Sequence, residues 1–311
     1  MADSAFPHDV AVVPAVDRQM QQRVRRLVWK IAIATWVLMA IGSATRVMNA
    51  GLACPDWPLC YGQLVPARLL GNLQVFLEWF HRLDASVIGL SAIVLVLLSW
   101  WQRQQLPRWV PGAAAIALLL IVGQGVLGGL TVTQLLRFDI VMAHLGTALL
   151  FFSWLIGMGV LLLPAGDPIP SQGRWQALGA IAALLVYVQS LIGALVGSRW
   201  AAHQCLVADK LCTQTYAHLL AVIPTTAIAI FLAVAAWKSP ALPAGPRRLA
   251  LLAGGLTCLQ VILGMATYRL HLQVEPLTVA HQTIGAALLG VLVAFSVRIW
   301  QSQSQVVPTT Y

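Results

Sequence analysis

Charged residues are scarce in this chain of 311 residues, in which only 19 are lysine or arginine and 10 are aspartate or glutamate. They make up 9% of the sequence, whereas soluble domains average about 25%. Hydrophobic residues account for 59%. A soluble globule of this composition could not cover its surface with polar groups. Intrinsically disordered chains have few hydrophobic and many charged residues, which is the opposite of this composition. The shortage of charge therefore leaves the class of polytopic membrane proteins.

Two further absences narrow the function. No stretch interleaves basic with aromatic residues, and no soluble domain is present to carry one, so nucleic-acid binding is not expected. We also expect no cleaved signal peptide, because the short apolar stretch 10–16 is broken by Pro14 and followed by charge. The acidic residues Asp3, Asp9 and Asp17 argue against a mitochondrial transit peptide, so we expect a bacterial inner membrane.

Continuous apolar runs predict an all-α membrane protein with eight transmembrane helices, each long enough to cross the hydrocarbon core. The runs cover residues 28–47, 75–100, 111–133, 139–163, 175–197, 214–237, 248–268 and 277–300. We therefore expect an N-terminal tail, two four-helix bundles and a C-terminal tail. These parts comprise residues 1–27, 28–165, 166–300 and 301–311.

The basic residues predict the orientation of these helices. Of the 19 lysines and arginines, 12 lie in the N-terminal tail and first span, in the loops after spans two, four and six, or at the end of the last span. Basic residues collect on the cytoplasmic side of membrane proteins. We therefore expect both termini in the cytoplasm and the loops after spans one, three, five and seven outside.

Four histidines occur inside the predicted spans, where an ionisable side chain is costly and indicates a functional site. His81, His144, His218 and His281 lie on alternate spans, about one to two turns below the outer interface. The first two are 63 residues apart, and so are the last two. The stretches QGVLGGLT and QVILGMAT precede His144 and His281 at similar distances. These repeats indicate a tandem duplication of a four-helix unit, with parallel halves.

Two histidines at one depth in a four-helix unit suit a planar macrocycle with an axial imidazole on each side, as in bis-histidine haem. A single intramembrane histidine would more simply make an interhelical hydrogen bond. Haem propionates need cations near the interface. The arginines at the outer ends of the spans are candidates, although they could instead reach lipid phosphates: Arg46, Arg82, Arg137, Arg199 and Arg269.

An acidic residue close to the first span histidine occurs in the first half of the chain but not in the second. Glu78 stands three residues before His81, which places both side chains on one helical face, whereas Thr215 occupies the matching position before His218. An acid in a low-dielectric site can accept protons or stabilise positive charge. We therefore expect a chemical site in the first half and a permanent electron-carrying haem in the second. Alternatively, Glu78 orients a neighbouring side chain, and Asp84 is a weaker candidate of the same kind.

Four of the five cysteines form two pairs in loops that we expect outside. Cys54 and Cys60 follow the first span, and Cys205 and Cys212 follow the fifth. An oxidising compartment favours disulfides, which would staple both loops. Redox exchange with the substrate or a partner is the functional alternative. Neither pair has enough neighbouring ligands for a metal site, and Cys258 is most simply an apolar filler within a span.

At these residues the chain resembles the haem A synthase family, over about residues 28–300. The resemblance is carried by GLACPDWPLCYG, EWFHRLDA, VMAHLGTALL, YAHL and VAHQTIGA. It implies eight spans in two four-helix bundles. It also implies an oxidoreductase that converts haem O to haem A, needed by cytochrome oxidase, by successive hydroxylation of a ring methyl to a formyl group.

The resemblance further implies roles for individual residues. Haem b would be bound by His218 and His281, and the haem O substrate would bind between His81 and His144. Glu78 would be important for activity, and the first cysteine pair would have a redox role. The partners implied are membrane lipid, an electron donor, haem O synthase and a second copy of the chain.

Two other functions fit the same residues. A diheme b-type electron-transfer cytochrome would hold two equivalent haems and leave them unmodified. A haem transporter or chaperone would bind haem without needing Glu78. The pigments bound by the protein distinguish these functions.

Overall fold

The structure of this protein, a computed structural model, is described for residues 17–166, 169, 171–197 and 213–303. Eight α-helices make up most of it, and each is long and apolar enough to span a membrane. They are α1 (Arg18–Val47), α2 (Leu73–Trp101), α3 (Val110–Thr133), α4 (Phe138–Leu161), α5 (Gln172–Val196), α6 (Thr213–Lys238), α7 (Ala244–Arg269) and α8 (Glu275–Gln303). The predicted all-helical membrane protein with eight spans is confirmed.

The first helix is longer than the predicted span, whereas the other helices begin and end within about four residues of prediction. α1 begins at Arg18 rather than at residue 28. Asp17 caps it, because its side chain accepts a hydrogen bond from the backbone N–H of Gln19 at 2.8 Å. The added turns contain several arginines, so hydropathy alone does not detect them.

The helices form two closed rings of four. In the first ring α1 packs against α2 and α4, and α3 packs against the same two helices. In the second ring α5 and α7 each pack against α6 and α8. The rings meet where α8 contacts α1 and α4, and where α4 contacts α5. The same pairing in both rings is the arrangement that a tandem duplication produces.

Two equivalent hydrogen bonds join the rings. Trp36 Nε1 on α1 donates to the backbone oxygen of Thr283 on α8 at 3.0 Å. Tyr187 Oη on α5 donates to the backbone oxygen of Gly146 on α4 at 3.3 Å. Since α1 corresponds to α5 and α8 to α4, each bond is the counterpart of the other. One continuous apolar core surrounds these hydrogen bonds and includes side chains of both rings.

Candidate functional site

Each of the four partly buried histidines lies against a glycine of the helix that precedes its own. At three of these glycines an added methyl group would lie only 2.8 or 2.9 Å from Cε1 of the imidazole, and at the fourth, beside His144, 3.4 Å away. The pairs are His81 with Gly42, His144 with Gly128, His218 with Gly193 and His281 with Gly264. At three of these glycines a Cβ atom would collide with the imidazole at its present position. The glycine therefore allows the histidine ring to lie directly against the neighbouring helix.

The backbone four residues before each glycine lies close to the same imidazole. These residues are Leu38, Gln124, Gln189 and Gln260. The contact is weaker than a full hydrogen bond, because Nδ1 of three of the rings is buried without a partner at normal geometry. A backbone group near one ring nitrogen orients an imidazole and leaves the other nitrogen for an axial bond to a metal.

The histidines act in pairs, one pair in each ring of helices. His81 and His144 are near enough to interact electrostatically, and so are His218 and His281. Two imidazoles from different helices, each backed by a glycine, fit the axial ligand set of bis-histidine haem. Within the described part of the chain, no group of three or more histidine, cysteine or acidic residues could hold a bare metal ion.

Side-chain amides contact the second histidine pair. Gln189 Nε2 lies 3.0 Å from Nδ1 of His218 and 2.9 Å from its backbone oxygen. Gln260 Nε2 lies 3.4 Å from Nε2 of His281. The contact at Nδ1 of His218 orients that ring and leaves its Nε2 for a metal. The Gln260 amide instead lies beside Nε2 of His281, the nitrogen that would bind a haem iron, and would have to give way to it.

The first histidine pair lacks these side-chain contacts. The position that Gln189 occupies on α5 is held on α1 by Leu38, which has no amide. Gln124 Nε2 donates to the backbone oxygen of His144 at 2.6 Å and not to its ring. The motif QGVLGGLT contained Gln124, but only the packing of α3 against α4 reveals what its amide contacts.

Glu78 is buried on α2, with 3% of its surface exposed. Its Oε2 accepts a hydrogen bond from the backbone N–H of Cys54 at 2.7 Å. Its Oε1 forms a salt bridge with Nη2 of Arg82, one turn further along, at 2.6 Å. Both carboxylate oxygens therefore have partners, and one partner belongs to the loop between α1 and α2.

Arg82 links Glu78 to three backbone oxygens of that loop. Nη1 donates to the oxygens of Asp56 and Leu59 at 2.7 and 2.6 Å. Nη2 donates to the oxygen of Cys54 at 3.3 Å. Hydrogen bonds from a charged donor are among the stronger ones in proteins. The guanidinium thus holds the loop and orients Glu78, and its role as a propionate partner stays a prediction.

The loop itself is closed by a disulfide between Cys54 and Cys60, whose Cα atoms are 4.7 Å apart. Both cysteines are buried. The carboxylate of Asp56 accepts from the backbone N–H groups of Tyr61 and Gly62 at 2.6 and 2.8 Å. The Gly62 N–H, followed by that of Tyr61, keeps the pKa of Asp56 below its usual value. The predicted disulfide of this pair is present, and the loop is an ordered turn.

Two tryptophans fix the loop to the helices below it. Trp57 lies on α3, where a methyl group on Gly129 would be 3.1 Å from its indole. Trp79 Nε1 on α2 donates to the backbone oxygen of Leu64 at 2.7 Å. The loop therefore covers the outer end of the first ring beside Glu78.

The remaining predicted arginines differ in their surroundings. Arg46 donates from Nη2 to Oε1 of Gln282 at 2.8 Å. Arg137 is 59% exposed and pairs with Asp139 at 2.7 Å. Arg269 ends α7 and is exposed. Arg199, Cys205 and Cys212 lie outside the described residues.

Fold and site together define a polytopic membrane protein with a histidine pair within each ring of helices. A buried acid and a disulfide loop lie beside the first pair. The sequence matches the family described as cytochrome oxidase assembly protein (COX15-CtaA) over residues 25–69 and 72–293. This match includes all four histidines and covers most of the chain. The chain therefore belongs to this family, and the family predicted from the sequence is confirmed.

Individual relatives carry the name "Heme A synthase". The protein of that name from Shewanella oneidensis is 28% identical, over 90% of this chain and 98% of its own length. That from Rhodospirillum centenum is 28% identical, over 84% of this chain and 87% of its own. A third, from Symbiobacterium thermophilum, is 33% identical over 46% of this chain and 45% of its own.

Proposed function

We propose that this protein is an integral-membrane haem A synthase, an oxidoreductase that converts haem O to haem A for cytochrome oxidase. Family membership and relatives of that name along nearly the whole chain support the activity. The haem groups, when bound, supply the electron transfer and the oxidising chemistry.

We assign the substrate to the first bundle, residues 28–165, and a resident haem b to the second, residues 166–300. The observation that carries this assignment is the network of Glu78, Arg82 and the disulfide loop beside His81. The matching position near His218 is Thr215. In turn, a side-chain amide orients a ring through Nδ1 only in the second pair, where Gln189 contacts His218, as suits a group held permanently. The axial ligands would be His81 and His144 for haem O.

Glu78 is the residue that we place in the chemical step. Its carboxylate lies on the same face of α2 as His81, under a loop that limits access of water. There it can take up or release a proton at Oε1 or Oε2, or stabilise positive charge as the methyl group is oxidised. Arg82 acts as a positioning residue, because it holds Glu78 and the loop together.

The cellular setting follows from the same proposal. A bacterial inner membrane with both termini in the cytoplasm places the disulfide loop outside. Haem O is the substrate, so an enzyme that makes haem O must supply it and an electron donor or acceptor must complete the reaction. Contact with haem O synthase and a homo-oligomer are compatible with this setting.

Extraction of the pigments from the purified protein, followed by chromatography, tests the function. We expect haem b together with a smaller amount of haem O or haem A. His218→Ala should lose haem b, whereas His81→Ala should retain it. Glu78→Gln should retain haem b but accumulate haem O or a partly oxidised product, since the amide cannot accept the proton.

Asp84→Asn tests the weaker candidate on the same helix, which forms no ion pair with any described residue, and we expect it to produce haem A as the unaltered protein does. Two equal, unmodified haems in every preparation would indicate the electron-transfer cytochrome instead. Full haem A production by Glu78→Gln would remove Glu78 from the chemical step.

A further inference from the structure

Arg46 belongs to the first ring but contacts the second. It lies at the outer end of α1, and its Nη2 donates to Oε1 of Gln282 on α8 at 2.8 Å. A methyl group on Gly197, directly after α5, would lie 3.3 Å from the same nitrogen. Gln282 follows His281 in the sequence. The guanidinium is therefore directed at the bundle that we assign to the resident haem.

Within the described residues, no anionic side chain balances the charge of this guanidinium. Arg46 forms no ion pair with any residue in the described ranges. Its Nε is fully buried and has no hydrogen-bond partner. Its one side-chain acceptor among the described residues, Oε1 of Gln282, also accepts from the hydroxyl of Ser43 at 3.0 Å. A partly buried cation at membrane depth is costly without a neighbouring anion, so an anionic ligand would complete this site.

The duplication places this arginine in only one of two equivalent positions. Four residues after the glycine that backs the first histidine of each ring, α1 has Arg46 and α5 has Gly197. Directly after the last histidine of each ring, α8 has Gln282 and α4 has Leu145. The cation and its acceptor therefore occur together at one ring interface, and the small Gly197 leaves room for the guanidinium.

We propose that Arg46 binds a propionate carboxylate of the haem held by His218 and His281, so that the first bundle supplies a cation to the second. This inference rests on the proposed assignment of the resident haem. Arg46 lies four residues beyond Gly42, which is about 6 Å further out than the level of the histidines. Propionates directed toward the outer interface would reach that level. The planar guanidinium can bind a carboxylate through two parallel hydrogen bonds, while Gln282 orients the guanidinium.

Redox titration of the resident haem in the purified full-length protein tests this proposal. A positive charge at the propionate disfavours the oxidised haem, so Arg46→Met should lower the midpoint potential. We expect a tenfold higher ratio of oxidised to reduced haem at a fixed potential, which is about 59 mV for a one-electron couple. Arg46→Lys retains the positive charge but cannot donate two parallel hydrogen bonds. The midpoint potential of this variant should therefore lie between those of Arg46→Met and the unaltered protein.

Arg68→Met is the matched control, because Arg68 is exposed in the outer loop and contacts only the ring of Tyr61, at 6.0 Å. Its midpoint potential should not change. If Arg46→Met does not fold, the neutral and polar Arg46→Gln gives the same comparison. An unchanged potential at full haem occupancy in the neutral variant overturns the proposal. So does loss of a copurifying anionic phospholipid without a change in potential, because lipid phosphate would then be the anion.

The redox titration of the Arg46 variants and the haem content of the histidine variants can fail independently of each other. If His218→Ala retained the resident haem while His81→Ala lost it, the assignment of the two bundles would be wrong. If that assignment holds and the potential of the Arg46 variants does not change, only the role of Arg46 is wrong.

Discussion

Gly264 shows how a single residue positions a histidine ring. A methyl group at this position would lie 2.8 Å from Cε1 of His281, so the imidazole would have to move away from α7. We expect Gly264→Ala to weaken binding of the resident haem about tenfold, equal to ~1.4 kcal/mol. The measurement is the haem content per purified protein, from the absorbance of the extracted haem, as the protein is diluted or washed in detergent.

Gly255→Ala is the control on the same helix, since no atom lies within 4 Å of a methyl group added there. Alanine is a better helix former than glycine by about 0.5–1 kcal/mol, so this variant should fold and retain haem. Equal haem retention in both variants would show that the close approach of Gly264 does not position His281.

Among the side chains that attach the disulfide loop to the helices, Arg82 makes the most hydrogen bonds to it. Arg82 donates to three loop oxygens and to Glu78. Loss of hydrogen bonds from a charged donor costs about 1.5–3 kcal/mol each. We expect Arg82→Met to release the loop, and the Cys54–Cys60 disulfide to be reduced at least about tenfold faster by a membrane-impermeant phosphine. Thiol labelling over time measures the rate.

Arg68→Met again serves for comparison, because it removes a cation from the same loop without removing a hydrogen bond to it. Its disulfide should be reduced at the rate found in the unaltered protein. If Arg82→Met were also reduced at that rate, the loop would be held by Trp57 and Trp79 and not by the arginine.

At the element scale, the sequence predicted the helices well because long apolar runs in a membrane have few alternatives. It missed the first ten residues of α1, where arginines and a capping aspartate continue the helix beyond the apolar segment. It predicted the Cys54–Cys60 disulfide but not the attachment of the loop. That attachment depends on backbone oxygens, which leave no pattern in the residue types.

With eight candidate spans, an even number, we expect both ends of the molecule on one side of the membrane. The basic residues of α1 and of the loops after α2, α4 and α6 predict that this side is the cytoplasm. We expect a fluorescent-protein fusion at either terminus to fluoresce. An alkaline phosphatase inserted in the outer loop, near Arg68, should be active. Phosphatase activity from fusions at the termini would reverse the orientation.

Across the whole molecule, the sequence revealed the duplication and the four histidines because the interval of 63 residues repeats. It could not reveal the contact between Arg46 and Gln282, which are far apart in the chain and meet only because α1 packs against α8. It also treated the outer arginines as one set, with propionates or lipid phosphates as their partners. The structure distinguishes them, since Arg82 holds a loop and Arg137 pairs with Asp139 at the surface.

The paired hydrogen bonds of Trp36 and Tyr187 bear on the ancestry of this chain. Each aromatic side chain on the first helix of one ring donates to the last helix of the other ring. A chain half as long, pairing with a second copy of itself, would form both bonds at once by symmetry. Fusion of two such copies would need no new interface. Once joined, the copies could diverge, so that an acid, a longer outer loop and an arginine shared across the interface each arose in one half only.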